Sequence, residues 1–94
     1  YGFDNAKVAY IITQYPQEVF RRIDTELERG VTFLEGEGAY SGRATKVILT
    51  AIKMRQIAQL KRIVREVDPS SFVIISDAQE VLGDGFRAHH DKQF

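Results

Sequence analysis

Cysteine is absent from the 94 residues, so neither a disulfide staple nor a thiolate metal site is available. Its absence fits a reducing compartment. Net charge is missing as well, because thirteen basic and thirteen acidic residues cancel. A general nucleic-acid binder needs a net basic footprint, and this balance argues against that class. It also leaves self-association unopposed by charge near neutral pH. No apolar run approaches the ~20 residues of a membrane span, and the N-terminus carries no secretory signal. Methionine is not at position 1, where Tyr1 stands, so the expectation is a piece cut from a longer protein.

The length is that of one domain, residues 1–94, with a core over about 6–86 and a tail over 87–94. A chain of this size buries somewhat over ~60% of its unfolded surface, enough to fold alone with little surplus. The stretch that organises it is Gly30 to Gly42, G-V-T-F-L-E-G-E-G-A-Y-S-G, which holds four of the seven glycines. Its first half alternates like a strand, and its second half reads as a glycine-loosened edge with a bulge.

Around it the elements follow in order. Ala6 to Thr13 is a strand with apolar residues on both faces, which suits a central position. Pro16 opens a helix in whose first turn a missing N–H costs nothing. Val19, Phe20, Ile23 and Leu27 form its apolar stripe, and Arg29 with Gly30 reads as a basic last turn and a glycine cap. Gly30 to Ser41 is the second strand, Ser41 to Ala44 the turn, and Thr45 to Ile52 the third strand, making a hairpin. Lys53 to Val67 is a second helix, with Ile57, Leu60, Val64 and Val67 inward and Ala58 and Ile63 at the margins. Asp68-Pro69 ends it. Ser71 to Asp77 is a fourth strand, again apolar on both faces.

The order β-α-β-β-α-β predicts an α+β, ferredoxin-like fold, a four-stranded antiparallel sheet with both helices on one face. The first and third strands lie centrally, the second flanks the third and the fourth flanks the first. A flanking strand with two apolar faces needs cover on the helix-free side. A second subunit is the natural cover, so a homo-oligomer is expected.

Several groups are candidates for chemistry, each with a plainer alternative. Gly36, Gly38 and Gly42 can let a ligand approach the backbone, or can simply build a bulge and a turn. They form neither a dinucleotide-binding fingerprint nor a P-loop, since no helix opens after them and no Gly-Lys-Ser/Thr follows. Glu35 and Glu37 share one face of the strand and can bind a cation or act as acid and base; solvated gatekeeping of an edge is the alternative. Tyr40 and Ser41 can stack on and hydrogen-bond a small molecule, or Tyr40 can pack across the hairpin. Lys53, Arg55, Lys61, Arg62 and Arg65 give the second helix a basic face that can attract anions or be merely solvated. His89, His90 and Asp91 offer no preformed metal geometry. No Ser/His/Asp or Cys/His set can be assembled, so no enzyme, cofactor or metal site is expected.

G-V-T-F-L-E-G-E-G-A-Y-S-G, K-V-I-L-T at Lys46 to Thr50, L-K-R-I-V-R-E-V-D-P at Leu60 to Pro69 and F-V-I-I-S-D-A-Q-E-V-L-G-D-G-F at Phe72 to Phe86 together resemble the C-terminal domain of bacterial YitT-type membrane proteins. The likeness covers roughly residues 4–86, and the glycine-rich strand and the terminal Gly-x-Gly-Phe (Gly83, Gly85, Phe86) are its specific parts. The resemblance implies an attached bundle of membrane helices and a position on the cytoplasmic face of the cell membrane, with this part itself soluble. It also implies a fold similar to PII-like nucleotide-sensing proteins, which bind small ligands between subunits near the loop joining their second and third strands. Here that junction is short, and the long docking loop of PII signal proteins is missing. The family brings no catalytic residues. The expected role is a self-associating regulatory domain sensing a small, nucleotide-like ligand, with a purely structural oligomerisation module as the alternative. Its ligand or interface residues would be Glu35, Gly36, Glu37, Gly38, Tyr40, Ser41, Gly42, Gly83, Gly85 and Phe86.

Overall fold

The structure, a computed structural model, describes residues 6–78. Gly83, Gly85, Phe86 and the residues 87–94 therefore lie outside the described part. Strand β1 (Ala6–Ile12) leads into helix α1 (Pro16–Arg22), and strands β2 (Thr32–Glu37) and β3 (Ala44–Lys53) form a hairpin. Helix α2 (Ile57–Val67) follows a 3₁₀ turn at Met54–Gln56, and strand β4 (Phe72–Asp77) comes last. The sheet order is β2-β3-β1-β4 and every neighbouring pair is antiparallel. This is the expected ferredoxin-like order, with β1 and β3 central.

Strand alternation divides the sheet into two faces. Ala9 and Ile11 on β1 and Ile48 and Ile52 on β3 point to the helices and are buried. They meet Val19, Ile23 and Leu27 from the first helix and Leu60, Ile63 and Val64 from α2 in one core cluster. Val31, Phe33, Val73 and Ile75 close its margins, and the Phe33 ring meets Phe20 edge-on with centroids 6.1 Å apart.

Four local expectations are corrected. The first helix does not run regularly to Arg29: after Arg22 it widens into a π-helical stretch, Ile23–Leu27. The left-handed residue that ends it is Glu28 (φ 56°), not Gly30. Both Ile23 and Leu27 are buried, and the chain leaves the helix at Glu28, two residues before Gly30. The second strand carries no bulge; its register runs unbroken from Thr32 opposite Leu49 to Glu37 opposite Ala44, and the loop is longer than expected, residues 38–43. Lys53 ends β3 rather than starting the helix, and its N–H donates to Gln56 Oε1 (3.0 Å), which closes the 3₁₀ turn. Finally, Ile63 is central to the buried stripe of α2 while Ala58 is exposed.

The helices are tied to one another and to the sheet by polar contacts. Arg22 donates to Glu26 (Nε, 2.6 Å) and, across to α2, to Glu66 (NH1, 2.9 Å). These contacts raise the Arg22 pKa further and hold the Glu26 carboxyl below its ordinary range, the hydrogen bond being the main cause. Lys7 pairs with Asp77 across β1 and β4. Thr50, buried on β3, donates to the Gly30 carbonyl at 2.8 Å and so anchors the entry to β2.

Candidate functional site

β3 begins at Ala44, but its partner on β1 ends at Ile12, opposite Val47. The β2–β3 hairpin therefore overhangs the end of β1 by three residues of β3. The overhang and the β1–α1 junction border an open cleft of about 660 Å³. Ile12, Thr13, Gln14 and Pro16 form one wall, and Glu35, Gly38, Ser41, Arg43, Thr45 and Lys46 line the hairpin side.

The junction wall is held rigidly. Asp68, which follows α2, is buried and accepts three hydrogen bonds: from Thr13 Oγ1 (2.7 Å), Gln14 N–H (3.2 Å) and Ser70 N–H (3.0 Å). Thr13 Oγ1 in turn accepts the Tyr15 N–H at 3.0 Å. The Thr13 hydroxyl, helped by the two backbone donors and opposed by desolvation, lowers the Asp68 pKa. One carboxylate thus fixes the end of β1, the start of α1 and the turn into β4.

The hairpin loop is closed by its own bonds. Gly38 N–H donates to the Arg43 carbonyl (2.9 Å), and Gly42 N–H donates to the Gly38 carbonyl (2.7 Å). The Ser41 hydroxyl accepts the Arg43 N–H at 3.2 Å. It lies where a side chain on Gly38 would begin, since a Cβ there would sit 2.7 Å from Ser41 Oγ. Gly42 has φ +72°, a conformation that favours glycine. Gly36 differs: a Cβ would make ordinary contacts of 3.5 Å with Thr45 and Val47.

Of the residues singled out in the sequence, Glu35, Gly38 and Ser41 come together in the cleft. Gly36 and Glu37 lie on β2 beside it, and Gly42 shapes the loop. Tyr40 is fully exposed at the loop tip, so the cross-strand packing alternative for it does not hold. Sequence reading had not singled out Thr13, Gln14, Arg43 and Lys46 as site residues. Thr13 is legible as the end of the first strand, and its role depends on Asp68, 55 residues away. Lys46 reaches the Glu35 carboxylate at 3.4 Å in an exposed pair, whereas Arg43 has no acid partner among the described residues. The cleft therefore carries two cations against one carboxylate, with hydroxyls and an apolar wall at Ile12. That donor set suits an anionic small molecule rather than a cation. No cluster of three metal-ligating side chains occurs among the described residues, and no described helix is long and apolar enough to cross a membrane.

The basic stripe on α2 is real but partly answered. Lys61, Arg62 and Arg65 are exposed, and Arg62 lies close enough to Glu26 to lower that group's pKa as a minor contributor. On the buried side Arg29 is shielded from solvent, and burial first and Arg55 second push its pKa down.

Residues 29–83 match the model of a family described as "Uncharacterized protein conserved in bacteria (DUF2179)". The chain belongs to that family. Among curated relatives, it is 37% identical over 86 residues to the UPF0750 membrane protein YvjA of Bacillus subtilis, covering 92% of this chain and 31% of that protein. It is 40% identical over 86 residues to an uncharacterised protein of Bacillus sp. (strain PS3), covering 92% of this chain and 57% of the relative. UPF0750 membrane protein YitT of Bacillus subtilis is 28% identical over 75 residues, which is 80% of this chain and 27% of that one. The chain thus spans about a third of the membrane proteins it resembles. A solved DUF2179 protein from Eubacterium ventriosum superposes with TM-score 0.68 at 32% identity, over 78% of this chain and all of that one. A functionally unknown protein from Pediococcus pentosaceus gives TM-score 0.74 at 10% identity, over 84% of this chain and 97% of that one, a likeness of fold alone.

Proposed function

We propose that this DUF2179 domain is a self-associating regulatory domain of a multi-pass membrane protein, on the cytoplasmic face, that senses a small anionic metabolite of nucleotide-like character. Its role is binding rather than catalysis. The cleft between the β2–β3 overhang and the β1–α1 junction carries this reading. Its volume falls in the range of small-molecule sites, roughly 300–1,000 Å³. Arg43 supplies a cation with no described acid partner, Lys46 a second, and Ser41 and Thr45 supply hydroxyls. The cleft lies at the opposite end of β1 from Ala6, roughly 20 Å away at ~3.3 Å per residue. A preceding membrane segment would therefore leave it open.

ATP, ADP and inorganic pyrophosphate are the probes. A ligand at a hundred times its Kd adds about 2.7 kcal/mol to stability, a rise of more than ~10 °C in Tm for a domain this small. Arg43→Ala should abolish the rise and leave the unliganded Tm in place, because Arg43 is exposed. No rise with any probe would refute a nucleotide-like ligand.

One observation favours the second reading, a structural oligomerisation module without ligand. Gly38 and Gly42 are accounted for by their own loop, through the Ser41 hydroxyl and the positive φ, so they need no ligand to explain them. That reading expects association without any thermal response.

A further inference from the structure

The sheet face away from the helices is uncovered among the described residues and strongly apolar. Phe72 (62% exposed), Ile74 (46%), Ile12 (39%), Leu34 (38%) and Tyr10 (36%) all belong to it. The registers bring them into one patch: Ile12 stands between Phe72 and Val47, with Leu34 beyond, and Tyr10 stands between Ile74 and Leu49, with Thr32 beyond. No charged side chain lies on this face between Val8 and Ile12, Thr32 and Gly36, Thr45 and Ala51, or Phe72 and Ser76.

We infer that this face is where a second copy of the chain stacks, sheet on sheet, about a two-fold axis parallel to the strands. The inference rests on the self-association proposed above and names its surface. Three observations favour a second copy as the occupant. An uncharged face can meet itself without like-charge repulsion, and it offers no charge to steer a basic or acidic partner. Its relief is also self-complementary. The β4 margin stands high, with Phe72 and Ile74; on the β2 margin Leu34 lies level with Phe72, and the short Thr32 lies level with Ile74. A two-fold axis along the strands keeps these rows level, so it places Ile74 of one copy over Thr32 of the other, high over low, and Phe72 over Leu34, apolar over apolar. Packed sheets need that interdigitation across their ~10 Å gap.

The third observation is area. Four strands ~4.8 Å apart and six residues long at ~3.3 Å give about 400 Å² in plan per copy. Upright side chains add to this, which brings a pair near the lower bound of specific interfaces, ~1,200 Å² in total. The assembly is therefore a concentration-dependent one, strengthened when copies are tethered close together.

Sedimentation equilibrium of the 94-residue chain, from low micromolar to millimolar, tests this. The parent should associate. Ile74→Glu should weaken association at least tenfold with an unchanged monomer Tm, because Ile74 is already half open to solvent. Thr32→Lys in the same chain should recover association, because the axis sets Ile74 of one copy over Thr32 of the other. Lys61→Ala, on the helix side, should associate like the parent. If the parent associates and Ile74→Glu does so equally, the surface is wrong although self-association stands. Loss in Ile74→Glu without recovery in the double variant overturns the two-fold arrangement. A monomer throughout overturns both the surface and the self-association reading, and means that residues 79–94 or another partner cover the face.

Discussion

Shortening Ile63 to alanine should destabilise this domain more than any change on the outer side of α2. Ile63 is fully buried between the sheet and the first helix, with Leu60 and Val64 on the same stripe. The change removes three carbons, a transfer loss of about 2.4 kcal/mol at ~0.8 per methylene. The cavity left behind adds to it, so the total is roughly 3–4 kcal/mol. A 94-residue domain has about 5–14 kcal/mol in all. At ~4–8 °C per kcal/mol, Tm should fall by at least ~12 °C. Ile57, half-buried where the helix begins, should cost only about half as much on alanine substitution, by the area it hides. Lys61→Ala should stay within about 0.5 kcal/mol. Circular dichroism melts and urea titrations at a concentration low enough to keep the chain monomeric measure all three, since assembly would add its own stabilisation. If Ile57→Ala and Ile63→Ala melt alike, or if Ile63→Ala costs under ~1 kcal/mol, the helix is rotated from the orientation described and the core is placed wrongly.

Two further outcomes follow from the hairpin and the junction. Gly36→Ala should stabilise the monomer by about 0.5–1 kcal/mol of recovered backbone entropy, whereas Gly38→Ala should destabilise it by about 1 kcal/mol as Ser41 is displaced from the Arg43 N–H; Tm shifts of one sign in thermal melts would refute the loop geometry. Because the Asp68 carboxyl has a lowered pKa in the fold, its contribution is present above the unfolded value near 4 and is lost as pH falls through the folded one. The urea midpoint of the parent should therefore drop between pH 5 and about pH 2 more steeply than that of Asp68→Asn, and an equal or steeper drop in the variant would show that Asp68 is not the acid-sensitive anchor.

The order and pairing of elements were legible because they rest on local signals. Short apolar runs in Ala6 to Thr13 and Ser71 to Asp77, Pro16 at a helix start and Asp68-Pro69 at a helix end mark the elements. Crossover handedness then leaves few arrangements, and the two-sided apolar strands already announced a face that the helices do not cover. Other features needed the tertiary structure, because each depends on residues far apart in the chain. The π-helical stretch at Ile23–Leu27 is not marked by the apolar stripe, because a regular helix would bury the same two residues. Ile63 is fully buried beside Leu60 and Val64, a position set by how α2 packs on the sheet and the first helix. The cleft arises from the three-residue overhang of β3 past Ile12, a difference in strand lengths that no single stretch records. Thr13 and Asp68 make one junction only once α2 has returned beside β1. Local periodicity therefore determined which faces are apolar, and tertiary packing decided where those faces meet and what they leave open.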